Sequence, residues 1–481
     1  MARENEEISS LSDAEREKMF LEGEEAAHPE LFVRPVSAED DATLREIGID
    51  PAVFRARMPG HIKLLPGDFV VEEISRDGIV HTVDIAPLFG GAPPPRARTL
   101  WCDMVKMDTD TLRATADLAR RLGIEKNSIG VAGIKDKRAI TSQAISIRGV
   151  APDAVASVSA PNFFLKNGSA GTGALSTGAL RGNRFTLLIR TPDPVAPAQW
   201  DAALGDIADQ GFWNFFYLQR FGTPRLISHR LGELILRGDY EGVVRMSLTH
   251  ASSREIAYFR HARARLDGAW GDPERIMRMI EPLPDTFRHE RLMMEYLHDR
   301  PGDFAGALNR VPDQVKIWIY AWASWLFNRA LSAMAVQEDG EAPSVLPVPL
   351  NPGPDMERYY GHLLDERRMR PPFRAFRDFP YARPHINEVE TLKQFTLHGS
   401  RCIPEGIVMA FDLDKGAYAT SLLAHIFALS AGASGPYVVK TDEVDTKEIM
   451  GTGSLSPVRE KFRAMAVAPA YRNGTPDDAG E

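Results

Sequence analysis

Five short apolar runs with strand character are separated by helical stretches of very unequal length, and this spacing constrains the fold of the 481-residue chain more than any other feature. Phe69 to Ile74, preceded by the Pro66-Gly67 turn signal, reads as a strand, and so do Ile129–Ile134, Gln143–Arg148, Phe185–Arg190 and Ile407–Leu413. Leu112, Thr115, Ala116, Ala119 and Leu122 recur at helical spacing ahead of Gly123, a helix stop. Val315, Trp318, Ile319, Trp322, Leu326 and Ala330 mark a longer helix with an aromatic face, and Thr420–Leu429 predicts a third. There are no internal repeats. A doubly wound sheet would space its helices regularly, so the uneven insertions predict the α+β class.

The length predicts two or three domains at ~100–200 residues each. The apolar runs fall short of the ~18 residues a membrane-spanning helix needs, and the first thirty residues are acidic, unlike a secretory signal, which points to a soluble cytoplasmic protein. Cys102 and Cys402 are the only cysteines, too few for a disulfide framework or a thiolate zinc site. The formal charge of −9 argues at first against a nucleic-acid partner. That charge is unevenly spread: residues 1–50 carry −10 and residues 441–481 carry −3, which leaves +4 in between. Both ends read as poorly folded, the first Glu-rich and the last broken by Gly, Pro and Ser. No phosphate-loop, HExxH, CxxC or GxSxG signature occurs, and the scattered His261, His289 and His298 read as solvated helix-face residues.

One stretch has chemical character. In Ala132-Gly133-Ile134-Lys135-Asp136-Lys137-Arg138 a single carboxylate leaves a buried strand among cations. Neighbouring positive charge favours the ionised form of an Asp, which suits it as a nucleophile or as a partner for developing positive charge. The competing reading is a surface turn whose charges simply pair.

The run from Gly133 to Thr141 resembles the signature of the TruD family of tRNA pseudouridine synthases, in which the Asp of the Gly-x-Lys-Asp stretch is catalytic. Further segments match in the family's order: Asp68–Glu73, Gly178–Phe185, Asn214–Gly222, Trp325–Arg329 and Gly416–Leu423. The resemblance covers roughly residues 60–430. It implies an α+β pseudouridine-synthase catalytic domain with a mixed, largely antiparallel sheet, interrupted by an insertion domain. The expected organisation is an acidic extension over 1–58, the catalytic domain over 59–212 and 386–440, the insertion over 213–385 and a flexible tail over 441–481.

The implied activity is isomerisation of a specific uridine in RNA to pseudouridine, without cofactor or metal. The implied partner is tRNA, with other RNA left open; no membrane is involved and a monomer is favoured. Asp136 would act at the ribose, by attack on the sugar or by taking the C2′ proton. The target base must leave its stack, and Phe185 stands where the family places an aromatic that receives it. Asn183, two residues earlier on the same face of an extended segment, is placed to hydrogen-bond the base or hold the loop. Lys63 could pair with Asp136 or a phosphate, and Lys135 could tune Asp136 or reach phosphate. Phe69 reads as packing beneath the site. Gln219 and Arg220 hold a junction or meet the RNA. Arg367, Arg368, Arg370, Arg374, Arg377 and Arg383, interleaved with Phe373, Phe376 and Phe379, suit phosphate contact and stacking, with Arg370 and Arg374 the leading candidates. Arg254, Arg260, Arg263 and Arg265 form a second, weaker cluster.

Two departures from the family pattern bear on RNA contact. Residues 165–177 hold one cation, Lys166, where relatives have a basic segment, and read as a flexible loop. His425 stands where an Arg is common, which weakens a phosphate role at neutral pH. The alternatives are an RNA-binding module or chaperone without catalysis, and a nucleoside glycosidase, which would release free uracil.

Overall fold

The computed structural model describes residues 13–33, 39–54, 56–92, 98–337, 342–385, 388–432 and 438–465. Residues 1–12 of the expected extension and 466–481 of the expected tail lie outside that range. The chain divides into two compact units, Phe54–Phe212 with Lys393–Glu481, and Met1–Val53 with Trp213–Leu392. Among the described residues no helix is long and apolar enough to cross a membrane.

The first unit is built on one mixed sheet of ten strands: β1 (Met58–Ile62), β2 (Phe69–Ser75), β3 (Thr99–Met107), β4 (Ile129–Val131), β5 (Ile140–Arg148), β6 (Phe163–Gly171), β7 (Leu180–Arg190), β8 (Thr396–Ile403), β9 (Gly406–Asp414) and β10 (Phe427–Ala431). The order β8-β9-β7-β2-β5-β3-β6 is antiparallel except where β2 meets β5, β4 pairs with β5, and β1 runs parallel to β10. This is the α+β arrangement that the uneven spacing predicts.

Side chains alternate between the two faces of each strand, which gives the sheet two different covers. On one face Leu100, Cys102, Met104, Ile145 and Ile147 pack against Ala114, Leu118 and Ala119 of helix Thr111–Leu122. Asp110 caps that helix by accepting from the Arg113 amide, and Gly123 ends it at a φ of 65°. On the other face Val70, Val105 and Ile140 meet Leu455, Val458 and Phe462.

The last three residues belong to the segment expected to be a flexible tail, and they overturn that expectation for residues 441–465. Thr446–Ile449 and Ser456–Met465 are helices whose apolar side chains close the second face of the sheet. Two buried ion pairs hold them there. Lys447 meets Glu72 at 2.5 Å, and Arg190 forks onto both oxygens of Asp68 while donating to the carbonyls of Lys440 and Asp442.

Three more expectations change. Thr420–Leu429 is a helix only over Ala419–Ala424; the apolar run that follows is strand β10, because it pairs with β1. The strand expected over Ile129–Ile134 stops at Val131. The small-residue segment expected to be a loop is largely strand β6, hydrogen-bonded to β3, and Gly171 lies so close to Trp101 that a Cβ would fall 2.1 Å from the indole. Lys166, its lone cation, is buried and paired with Asp84.

In the second unit, the long helix Pro312–Ala335 buries both its aromatic face and its Asn328. Part of the acidic segment packs with it. Leu44, Ile47 and Ile49 are fully buried, Asn328 donates to the Ile47 carbonyl, and Trp325 donates to that of Glu46. Gly48, at a φ of 84°, has no room for a Cβ, which would lie 2.7 Å from the Trp325 carbonyl. Thr43, Leu44 and Ile47–Ile49 are therefore core, although the charge around them made the segment look like a solvated extension.

Removing one partner of a buried ion pair strands the other. Lys447→Met should cost about 3–5 kcal/mol in urea unfolding. Adding Glu72→Gln, which keeps an acceptor for the Val83 amide that Glu72 now serves, should recover most of that loss.

Candidate active site

Asp136 sits on the loop between β4 and β5, and side chains from neighbouring elements fix that loop at almost every residue. Gln143 of β5 donates to the Gly133 carbonyl at 2.8 Å, and the Lys135 amide donates to Thr111 Oγ1 at 2.9 Å. The Lys106 ammonium, fully buried on β3, donates to the carbonyls of Thr109 at 2.8 Å and Asp136 at 2.7 Å, with a longer bond to Lys135 at 3.4 Å. Arg138 reaches back to the Leu64 carbonyl. Along the loop Ile134 is exposed, Lys135 is buried and Asp136 is part-buried.

The Asp136 carboxylate is 30% exposed, and its Oδ1 accepts a hydrogen bond from Lys63 Nζ at 2.5 Å. Lys63 follows β1 with a φ of 61°, a left-handed conformation that a lysine adopts only where its surroundings hold it there. Its ammonium also lies 4.1 Å from the centroid of the Phe69 ring, an attractive cation–π geometry. Phe69 meets Phe185 edge-on at 6.1 Å, and Phe185 stacks on Phe411 at 5.3 Å with 19° between the planes. A continuous chain of contacts thus joins the carboxylate to an aromatic cluster. Phe185 is 7% exposed, so any ligand meets only the edge of a ring that is mostly committed to packing. Asn183 lies two residues along the same face of β7, and its buried Oδ1 has no hydrogen-bond partner among the described residues. Such an orphaned acceptor at a site is more informative than its neighbours, since buried polar groups are normally paired.

Lys135 departs from its expected role. Its side chain is buried and pairs with Glu73 Oε2 at 2.5 Å, while Glu73 Oε1 accepts from the Ala144 amide. Lys135 therefore anchors the loop from below and is turned away from any phosphate. Glu73, Lys106, Thr111 and Gln143 were not singled out in the sequence. The signal was present in two of them, since Glu73 falls within an apolar strand and Lys106 ends one.

Arg220, Arg370 and Arg374 lie in the other unit. Arg220, on the turn Leu218–Phe221, sits 5.0 Å from the centroid of the Phe216 ring, and Asn328 holds the Phe216 backbone at both its N–H and its carbonyl. Arg370 and Arg374 line a cavity of about 290 Å³ together with Arg237 and Arg368. Arg370 is already bridged to Glu357 at 2.5 Å and Asp365 at 2.7 Å, whereas Arg368 and Arg374 are exposed and form no ion pair among the described residues. The interleaved Phe373, Phe376 and Phe379 are buried, Phe373 against Trp322, so they are core and do not stack on a ligand. The second Arg cluster dissolves. Arg263 is buried between Glu255 and Glu290, and Arg254 pairs with Glu46. His425 packs edge-on to Phe54 and Phe212, and burial pushes its imidazole pKa down to about 4, which leaves it neutral. Among the described residues no group of three or more His, Cys, Asp or Glu is placed to hold a metal ion.

Residues 49–340 match the family profile described as tRNA pseudouridine synthase D (TruD). The chain belongs to this family. It is 29% identical over 379 residues to the probable tRNA pseudouridine synthase D of Methanopyrus kandleri, covering 73% of this chain and 89% of that one. A protein of the same name from Pyrobaculum neutrophilum is 33% identical over 277 residues, covering 57% of this chain and 63% of its own length. A crystal structure from Methanosarcina mazei, of a protein assigned as tRNA pseudouridine synthase D, shares the fold with a TM-score of 0.57 at 23% identity, covering 80% of this chain and 97% of that one.

Burial lowers the Lys106 pKa to about 8, against an opposing pull from Asp136. Above that pH a neutral amine has two N–H groups for three carbonyls, and the Asp136 loop loses a tether. The sign for global stability is opposite. The unfolded chain binds more protons between about 8 and 10.5, so deprotonation of this group favours folding as pH rises through that window. Hydrogen exchange separates the two effects. Corrected for intrinsic rates, protection of the Lys135 amide should fall above pH ~8, and Lys106→Met should show ~1–3 kcal/mol less protection there at pH 7 with no such midpoint.

Proposed function

We propose that the protein isomerises a uridine of tRNA to pseudouridine, with Asp136 as the catalytic carboxylate. The observation that carries this reading is the Lys63–Asp136 pair at 2.5 Å, mounted on a clamped loop and linked through Phe69 to the Phe185–Phe411 stack. Family membership and the names of the relatives support the reaction and the substrate class.

The reaction breaks the bond from ribose C1′ to uracil N1, with the electron pair leaving on N1, turns the base and forms a bond from C1′ to C5; the C5 proton is then lost and N1 gains one, so the net change is an isomerisation. Lys63 occupies Oδ1 of Asp136, and among the described residues Oδ2 accepts no hydrogen bond, so that oxygen faces the ribose. From there it either attacks C1′, forming an ester that the turned base displaces, or removes the C2′ proton to form a glycal that is later reprotonated. The Asn183 acceptor, which has no partner among the described residues, suits an N–H of the flipped uracil, and Phe185 supports the base. Arg368 and Arg374, uncompensated at their cavity, take RNA phosphate more readily than Arg370, which must first leave two carboxylates.

Incubation with unmodified tRNA transcripts followed by pseudouridine mapping tests the activity. Wild type should yield pseudouridine and no free uracil, and Asp136→Asn should abolish product while holding tRNA affinity within about threefold. Absence of pseudouridine on every transcript, with folded protein, defeats the reading; free uracil would instead mark a glycosidase. For binding, Arg368→Ala with Arg374→Ala should reduce the slope of log affinity against log salt by about 2, and Arg370→Ala alone by less than 1. An unchanged slope removes this cavity from the interface.

A further inference from the structure

We propose that Ile134 is an apolar wedge that enters the RNA stack beside the flipped uridine, a role that rests on the reading of Asp136 given above. Ile134 is 63% exposed, and isolated apolar side chains at a protein surface usually need no explanation. This one has an unusual mount. The carbonyl before it is held by Gln143, and the amide after it by Thr111. The next side chain is pinned by the buried Lys135–Glu73 pair. The backbone is therefore immobilised on both sides of a residue whose side chain has been left in solvent. A β-branched side chain is also stiff about χ1, so Ile134 is presented in a fixed direction.

Position gives the mount its meaning. Ile134 is exposed and the Asp136 carboxylate is partly exposed, with buried Lys135 between them. Residues two positions apart lie at most ~7 Å from one another along the chain. When Asp136 reaches the ribose of the target nucleotide, Ile134 is one side chain away from the place the base has left. A base pulled from a stack leaves a gap lined by the faces of its neighbours, and an apolar side chain that fills the gap offsets the lost stacking and holds the base out.

The test uses the full chain and a transcript on which wild type forms pseudouridine, with 2-aminopurine placed next to the modified uridine to report unstacking. A second version of the transcript leaves that uridine unpaired in a bulge. Wild-type product is measured first, so failure of the underlying activity is seen separately from failure of the wedge. Ile134→Ala should lower the single-turnover rate on the stacked transcript by about tenfold or more with Kd within about twofold, and the loss should shrink to about twofold on the bulged one. The 2-aminopurine signal at saturation should fall in parallel, and Ile134→Leu should restore both. Equal losses on the two transcripts, an unchanged rate, or failure of leucine to restore the fluorescence would each overturn the proposal.

Discussion

Two consecutive glutamates on one strand hold the sheet unit together. Glu72 and Glu73 of β2 point to opposite faces of the sheet, both are buried, and each meets a buried lysine at 2.5 Å. A buried carboxylate without its partner costs several kcal/mol, so each pair obliges a distant segment to be in place. Glu73 takes Lys135 and fixes the loop that carries Asp136; Glu72 takes Lys447 and fixes the C-terminal helices over the opposite face. The strand acts as a two-sided fastener, with chemistry on one side and its cover on the other.

From that fastening follows the division of labour around Asp136. The groups beneath the loop, Glu73, Lys106, Thr111 and Gln143, spend their hydrogen bonds on backbone and on one another. The groups above it are less committed. Among the described residues Asp136 Oδ2 and Asn183 Oδ1 accept no hydrogen bond, and Lys63 is held in a backbone conformation that only its surroundings sustain. A rigid base with a few under-used polar atoms above it is the arrangement expected where positioning has to be accurate to fractions of an ångström.

The carboxylate was legible in the sequence because a charge cluster that ends an apolar run is conspicuous in any chain. Its partners were legible only through the family motifs, since Lys63 and Asp136 are 73 residues apart. Lys135 was misread for a physical reason: adjacent residues face opposite ways, and composition does not say which way is in. The Arg and Phe residues of 367–383 made the same point in reverse, because a single stretch sorted its phenylalanines inward and its arginines outward. The tail misled because Leu455, Val458 and Phe462 are three apolar positions at helical spacing among polar ones, enough to close a sheet but too few to stand out. At the other end, the acidity of residues 1–50 masked Leu44, Ile47 and Ile49.

The burial of Leu44, Ile47 and Ile49 beside the helix Pro312–Ala335 has a bearing on how the protein is made. The Asp50 amide donates to Ser332 Oγ, 282 residues further along the chain. At a synthesis rate of about 5–20 residues per second, the segment emerges roughly 15–60 s before its partner exists. The sheet waits in the same way, since β2 is made long before the Lys447 that Glu72 requires. Leu44, Ile47 and Ile49 therefore wait without this partner until the helix Pro312–Ala335 has been made. The high acidic charge around them is well suited to that interval, because like charges keep an unfolded segment soluble and apart from its neighbours.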